Sequence, residues 1–180
     1  SKEGVILRSG KTERLAMPAT RFLSTVRRAD FWGLVTLQPG ELPANGSIQD
    51  LLEPLVALEA TGNFLMAEKG YRTLLAQHSE NSTILFGLAN TLAASNRSAE
   101  AIKIYNKLLE KYPSHLPAIN NLADTLAREH CYSLALQILE RGLGQDSQQS
   151  EFSPVLQATF REITERSELH DGPECELPEM

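Results

Sequence analysis

Apolar residues recur along the middle of the chain with a period of 34 residues and without a gap. The three units cover residues 48–81, 82–115 and 116–149. When the units are aligned, one position holds Ala67, Ala101 and Ala135. A fixed period of this length indicates a solenoid, in which each unit buries its apolar face only against its neighbours. The pattern therefore predicts a mainly α-helical array that offers a surface to a partner.

Each unit is long enough for two helices. In the second unit we expect them over 82–95 and 98–111, because apolar residues recur there at helical spacing. Ser98 and, in the third unit, Ser114 are suited to N-cap positions, since a hydroxyl can accept a hydrogen bond from a free backbone N–H. Pro117 fits a first helical turn, where its missing N–H costs nothing.

The first unit departs from this pattern at Pro54, in the middle of its first helix. A proline inside a helix costs roughly 3 kcal/mol, because it removes a hydrogen bond and its ring clashes with the preceding turn. We therefore expect this helix to begin late, near Leu52 or Glu53.

The segments on either side of the repeats follow other patterns. Residues 1–38 predict two strands, a short helix and a third strand, which together are the remnant of an α+β domain. A linker at 39–47 is rich in Pro and Gly. We expect an amphipathic capping helix at 150–167 and an acidic, disordered tail at 168–180.

Composition excludes several classes of function. The net charge is −6, and no apolar run approaches the ~18–20 residues of a membrane helix, so we predict no transmembrane segment. Residues 1–40 carry seven Lys/Arg against three Asp/Glu, but without interleaved aromatic residues, so we predict no nucleic-acid partner. Cys131 and Cys175 lie 44 residues apart and match no metal motif. We expect Cys175 to be a free surface thiol, and we expect no metal and no cofactor.

The repeats carry a recognisable signature. Small residues stand at positions 8 and 20 of the second and third units, a large apolar residue stands at position 24, and Pro113 stands at position 32. In these features residues 48–149 resemble tetratricopeptide repeats. The resemblance implies an α-solenoid of three helical hairpins plus the capping helix, preceded by the short β-rich α+β remnant.

The same resemblance implies a concave groove lined by the first helix of each unit. Eight residues of this chain fall on the lining positions. They are Leu52, Val56, Phe86, Asn90, Asn120, Asn121, Asp124 and Arg128. Asn amides can bond both edges of a peptide backbone, so the groove suits a protein or peptide ligand. Alternatively, the polar side chains only solvate this face, and Phe86 packs against the preceding unit. Members of the family that clamp a C-terminal carboxylate use groove Lys and Arg residues, and here only Arg128 is available.

The first residues of the chain have a second resemblance. The runs 4–10, 15–17, 21–23 and 32–37 are similar to the final strands of a papain-like cysteine peptidase domain, of the type that processes bacteriocins with double-glycine leaders. In that family the nucleophilic Cys and the His lie upstream of the first matched strand. The third catalytic residue would fall near residues 8–10, which offer neither a carboxylate nor an amide. We therefore predict that this chain by itself is not an enzyme.

The leading hypothesis is a non-catalytic module that binds proteins or peptides and forms the C-terminal arm of a bacterial peptidase-like protein. One alternative is an accessory part of an active thiol peptidase whose Cys and His lie upstream. Another is a self-assembly module, with a homodimer that covers the edge of the first strands. The resemblance implies the periplasm or cell envelope, with the cytoplasm as the alternative.

Overall fold

A computed structural model of the chain describes residues 4–9, 12–28, 47–146, 150–170 and 175. The chain divides into two compact units, Ser1–Leu37 and Gln38–Met180.

The first unit contains a β-hairpin followed by a helix. Strand β1 (Gly4–Ser9) pairs antiparallel with β2 (Thr12–Pro18), and helix α1 (Ala19–Arg28) follows directly. This confirms the predicted hairpin and short helix. The third strand predicted at the end of residues 1–38 and the linker up to residue 46 lie outside the described residues.

The second unit consists of helices in its described part. They are α2 (Ile48–Ala60), α3 (Phe64–Gln77), α4 (Ser82–Ala94), α5 (Ser98–Lys111), α6 (Leu116–Arg128), α7 (Tyr132–Gln145) and α8 (Ser153–Glu168). Each helix packs against the next along the chain. The predicted solenoid of three helical hairpins plus a capping helix is therefore confirmed. None of the described helices is long and apolar enough to cross a membrane.

The helices form two rows that differ in how closely they pack. In the inner row, α2 contacts α4, α4 contacts α6, and α6 contacts α8. In the outer row, no Cα atom of α5 lies within 8 Å of α3 or α7. Because the inner helices touch and the outer helices are splayed apart, the array curves towards the inner row.

The core lies between the two rows and depends on small residues at the helix crossings. Ala67, Ala101 and Ala135 are each 0% exposed. Tyr71 and Tyr105 are also buried. Each lies four residues, or about one helical turn, after the alanine of its unit. The small side chain lets the two helices of a hairpin approach, and the larger ones fill the seam to the next hairpin.

The late start predicted for the first repeat helix is wrong, because α2 begins at Ile48 and contains Pro54. A capping box compensates at its N-terminus. The Ser47 hydroxyl accepts a hydrogen bond from the Asp50 N–H (3.2 Å), and the Asp50 carboxylate accepts one from the Ser47 N–H (3.1 Å). These bonds organise the first turn before Pro54 is reached, and the proline itself is exposed.

The N-caps predicted at Ser98 and Ser114 are also wrong. Ser98 is the first residue of α5 and is buried, so its hydroxyl is not at the cap position, which Arg97 occupies. The N-cap of α6 is His115, whose Nδ1 accepts a hydrogen bond from the Ala118 N–H (3.2 Å). Pro117 lies in the first turn of α6, as predicted.

Helix α8 covers the last hairpin with Leu156 and Ile163, both of which are buried. It packs against α7 and α6 and brings the chain back to the start of α7. There Cys175 forms a disulfide with Cys131, with their Cα atoms 4.9 Å apart. The expectation of a free Cys175 thiol is therefore wrong, because the return of α8 joins residues that are distant in sequence. Most of the predicted acidic tail lies outside the described residues.

Candidate functional site

The inner row presents one continuous surface, which we call the inner face and define as the surface of α2, α4, α6 and α8. The structure places the eight predicted groove residues on three neighbouring helices of this row. They are Leu52 and Val56 on α2, Phe86 and Asn90 on α4, and Asn120, Asn121, Asp124 and Arg128 on α6. Val56 is 54% exposed, whereas Leu52 packs partly into the core.

Amide and hydroxyl groups connect the middle of the inner face. The Tyr105 hydroxyl donates to Asn90 Oδ1 (2.6 Å), and Asn121 Nδ2 donates to the same oxygen (3.0 Å). Burial raises the pKa of Tyr105, which keeps its hydroxyl protonated as a donor. Asn90 thus joins α4 to α5 and α6, so Asn90 and Asn121 hold the helices together as well as lining the surface.

Asn120 lies at the end of this chain of bonds. Its Nδ2 donates to Asn121 Oδ1 over a long 3.4 Å. Its Oδ1 is buried and has no hydrogen-bond partner among the described residues. Because buried polar atoms are almost always bonded, this oxygen is an unused acceptor, and the half-buried side chain must turn outward before a donor from water or a ligand can reach it.

Phe86 belongs to an aromatic contact at the start of α6. Its ring centroid lies 5.2 Å from that of His115 and 6.5 Å from that of Tyr105. Both ring contacts are within its own unit, 82–115, and not with the preceding unit that the sequence offered as an alternative. Phe86 remains half-buried, so part of the ring is available on the inner face.

Protonation of His115 should destabilise the solenoid. Burial lowers the pKa of His115 from its ordinary value of 6.5, so the folded chain binds this proton less readily than the unfolded chain. The neutral His115 ring stabilises the fold above pH 6.5, and this contribution is lost as the pH falls towards the pKa of the folded state. The reason is that a protonated Nδ1 can no longer accept the hydrogen bond from the Ala118 N–H. We expect a loss of less than about 1 kcal/mol, since the ring is partly exposed.

Thermal unfolding at about pH 7.5 and about pH 5.5 measures this effect. His115→Asn keeps a cap acceptor that does not titrate, so its melting temperature should fall less over this range. An equal fall in both proteins would contradict a role for His115.

Charged side chains occupy the C-terminal end of the inner face. Arg128 pairs with Asp124 (3.3 Å), and its guanidinium also donates to the Ala93 carbonyl (3.4 Å). Arg166 on α8 lies 3.9 Å from Asp124 and donates to the Ala127 carbonyl (3.2 Å). Arg128 is therefore engaged by its own chain and is poorly placed to clamp a ligand carboxylate.

The sequence analysis missed Glu59 and Arg166. Glu59 accepts hydrogen bonds from the Tyr71 hydroxyl (3.0 Å) and the Thr91 hydroxyl (2.5 Å), and so joins α2 to α3 and α4. Glu59 could have been found from the sequence, because it lies on the inner side of the first helix of its unit. Arg166 had none, because α8 does not continue the 34-residue register.

No catalytic arrangement emerges from the described residues. Among them, no three His, Cys, Asp or Glu side chains are grouped so as to hold a metal ion. Cys131, which lies beside His130, is bonded to Cys175 and is not a nucleophile in this form.

Comparison with known proteins agrees with this architecture. Residues 58–124 match the family model of the tetratricopeptide repeat. The fold is that of a tetratricopeptide-repeat solenoid. A search of curated proteins gave no match.

Several solved structures superimpose on the array. One is the TPR2B domain of yeast Sti1 in complex with pHsp70, with a TM-score of 0.61 and 18% identity over 66% of this chain and 96% of that one. Another is the type III secretion translocator chaperone SycD of Yersinia enterocolitica, with a TM-score of 0.61 and 16% identity over 73% of this chain and 92% of that one. A third, from Parabacteroides merdae, has a TM-score of 0.55 and 22% identity over 66% and 47%.

Proposed function

We propose that the tetratricopeptide-repeat array is a non-catalytic module that binds a segment of a partner protein on its inner face. The observation that carries this proposal is Asn120, a half-buried side chain of the inner face whose Oδ1 lacks a partner among the described residues, so that a turn of its amide would offer an unused acceptor to a ligand. A backbone N–H of a bound peptide is the donor that would satisfy it.

The structural neighbours support this class of ligand. The Sti1 domain is in complex with pHsp70, and SycD is a chaperone of secretion translocators, so both are named for protein partners. Because the identities are 18% and 16%, the neighbours support the kind of partner and not its identity.

The chemistry of the inner face narrows the ligand. Glu59, Asp124, Arg128 and Arg166 are all engaged by hydrogen bonds or ion pairs within the chain, so none of these four charges is left without a partner on the face. Val56 adds an exposed apolar contact. Amides and apolar surface suit a largely uncharged segment recognised through its backbone and a few apolar side chains, rather than a terminal carboxylate.

The finer part of the proposal is that the array is the C-terminal arm of a bacterial peptidase-like protein. It is supported by the sequence resemblance of residues 4–37. The Cys131–Cys175 disulfide favours an oxidising compartment such as the periplasm, where disulfides persist.

Selection from a random peptide library against the immobilised chain tests the inner face. Peptides recovered in this way should bind Val56→Ala/Asn120→Ala about tenfold more weakly in solution, because an apolar contact and a hydrogen bond are lost. Fluorescence anisotropy with labelled copies of the selected peptides measures the affinity.

The matched control is Leu65→Ala/Lys69→Ala, which removes one apolar and one polar side chain, both exposed, from the outer helix α3. It should leave the affinity unchanged. Selection of no peptide, or equal binding by the inner-face variant, would overturn the proposal.

A further inference from the structure

The outer row contains an open groove that the proposed function does not use. It lies between α5 and α7, whose Cα atoms are everywhere more than 8 Å apart, and it holds a cavity of about 780 Å³. Its floor is apolar and is formed by Ile119, Leu122 and Leu126 of α6. We call this cavity the outer groove.

The walls of the outer groove are two parallel stripes of side chains. The α5 wall includes Ile102 and Leu109, with Pro113 just beyond the end of the helix, and the α7 wall includes Leu134 and Ile138. Within each stripe the residues recur at helical spacing, so they share one face of their helix. From Leu134 to Gln145 on α7 the groove extends along about 16 Å of helix, or about three turns.

The rim of the outer groove is positively charged. Lys103, Lys107 and Arg141 line it together with a single acid, Glu110, which leaves a surplus of two positive charges in a chain whose net charge is −6. Within the described part of the chain, none of the three cations takes part in an ion pair. Lys103 helps to lower the pKa of Glu100, but less than Arg97 does, and Lys107 helps to lower the pKa of Glu80, but less than Lys111 does.

Ion pairs bridge the other pair of neighbouring outer helices, α3 and α5. Between α3 and α5, Arg72 lies 3.6 Å from Glu100, and Arg97 pairs with Glu68. At the α5–α7 seam, one repeat further on, Asn106 stands where Arg72 stands and Leu134 stands where Glu100 stands. This pair of positions therefore carries no opposite charges at the second seam. No ion pair among the described residues crosses that seam, and there Leu109, Leu134 and Ile138 are half-buried while Lys103, Lys107 and Arg141 are exposed.

We propose that the outer groove binds an acidic amphipathic helix of a partner protein. Apolar side chains of that helix cover Leu109, Leu134 and Ile138, the half-buried apolar residues of the two walls, and remove them from water. Lys103 and Lys107 are one helical turn apart, so they match two acids spaced one turn apart on the ligand, and Arg141 faces them from α7. An elongated groove of about three turns fits a helix better than a compact small molecule.

A designed peptide tests the groove directly. The probe is a capped helical peptide of about three turns with Leu on one face and Glu residues one turn apart beside it. Its addition should shift the backbone amide NMR resonances of α5 and α7. A companion peptide with Gln in place of Glu should bind about tenfold more weakly at low salt, because surface ion pairs each contribute up to about 1 kcal/mol.

The charge variants locate the site. Lys103→Gln/Lys107→Gln should weaken binding of the Glu peptide about tenfold. Lys69→Gln, which occupies the same repeat position as Lys103 but lies on α3, should leave binding unchanged. Both variants alter exposed side chains, and far-UV circular dichroism checks that they fold.

Several outcomes overturn the proposal. They are amide shifts confined to the inner face, equal binding of the Glu and Gln peptides, equal weakening by Lys69→Gln, and saturation of the α5 and α7 amides by laurate without a response to the peptide. Shifts of these amides with protein concentration alone would assign the groove to a second copy of the chain, and would also overturn it.

Discussion

Reduction of the Cys131–Cys175 disulfide is expected to lower the free energy of unfolding by about 2–4 kcal/mol. The bond closes a loop of sequence separation 44 that contains α7 and α8. In the unfolded chain this constraint removes conformations, and reduction restores them. Urea denaturation followed by circular dichroism, with and without a phosphine reductant, measures the change in midpoint. The slope should also rise on reduction, because a chain without the cross-link exposes more surface.

Contacts around the disulfide in the folded state should add to the loss of stability on reduction. Cys131 is 2% exposed at the N-cap of α7, so the bond ties the chain beyond α8 onto a buried position. The His170 ring stacks on that of His130 at 4.6 Å and lies 5.3 Å from that of Tyr132 beside it. Reduction should therefore loosen the end of α8 before the rest of the array.

Cys175→Ser is the control for the disulfide, because it removes the bond and leaves the buried Cys131 in place. Its midpoint should match that of the reduced chain and should not respond to the reductant. A thiol assay that finds two free thiols in the unfolded, unreduced protein would contradict the pairing. A denaturation midpoint that does not change on reduction would contradict it too.

The helical hairpins could be predicted because their cause is local and repeated. Each of Ala67, Ala101 and Ala135 sits at the same helix crossing, so the requirement for a small residue recurs every 34 residues and is visible in one sequence. The bounds of α5 followed from its apolar spacing without error, and those of α4 to within one residue. Helix caps were less predictable, because burial of Ser98 and the place of the His115 ring depend on neighbouring helices.

Contacts between units could not be predicted, because they join residues about one period apart. Thr91 bonds Glu59 at a separation of 32, and Asn121 bonds Asn90 at a separation of 31. The period tells which helices become neighbours, but several polar residues on each could meet. Which pair forms is decided by side-chain packing, so the role of Asn90 as a link between helices appeared only with the structure.

Gly87→Ala is expected to destabilise the array by about 2–3 kcal/mol, although alanine is the better helix former. A Cβ atom at Gly87 would lie 2.4 Å from Cζ of Tyr71 and 2.7 Å from its hydroxyl. The Tyr71 ring is 2% exposed, so it has no room to move without disturbing the core. Displacing it would also break its hydrogen bond to Glu59 (3.0 Å). The sum of overpacking and a lost hydrogen bond exceeds the gain of up to about 1 kcal/mol in helix propensity.

Gly144→Ala is the matched control, since nothing lies within 4 Å of a Cβ at that position in α7. It makes the same chemical change without the clash, so it should raise the melting temperature slightly through helix propensity. Thermal and urea unfolding of both variants beside the parent chain give the comparison. Gly87→Ala as stable as Gly144→Ala would contradict the packing of Tyr71 on α4.

A double-mutant cycle shows whether Tyr71 is the cause of that loss. In a Tyr71→Leu background the ring is absent, so adding Gly87→Ala should cost much less than it does in the parent chain. The two changes are then non-additive by more than about 1 kcal/mol, as expected for residues in direct contact. Additive losses would place the strain elsewhere in α4. The seam between the first and second units therefore tolerates glycine at residue 87 and little else, because the ring that fills it also anchors Glu59.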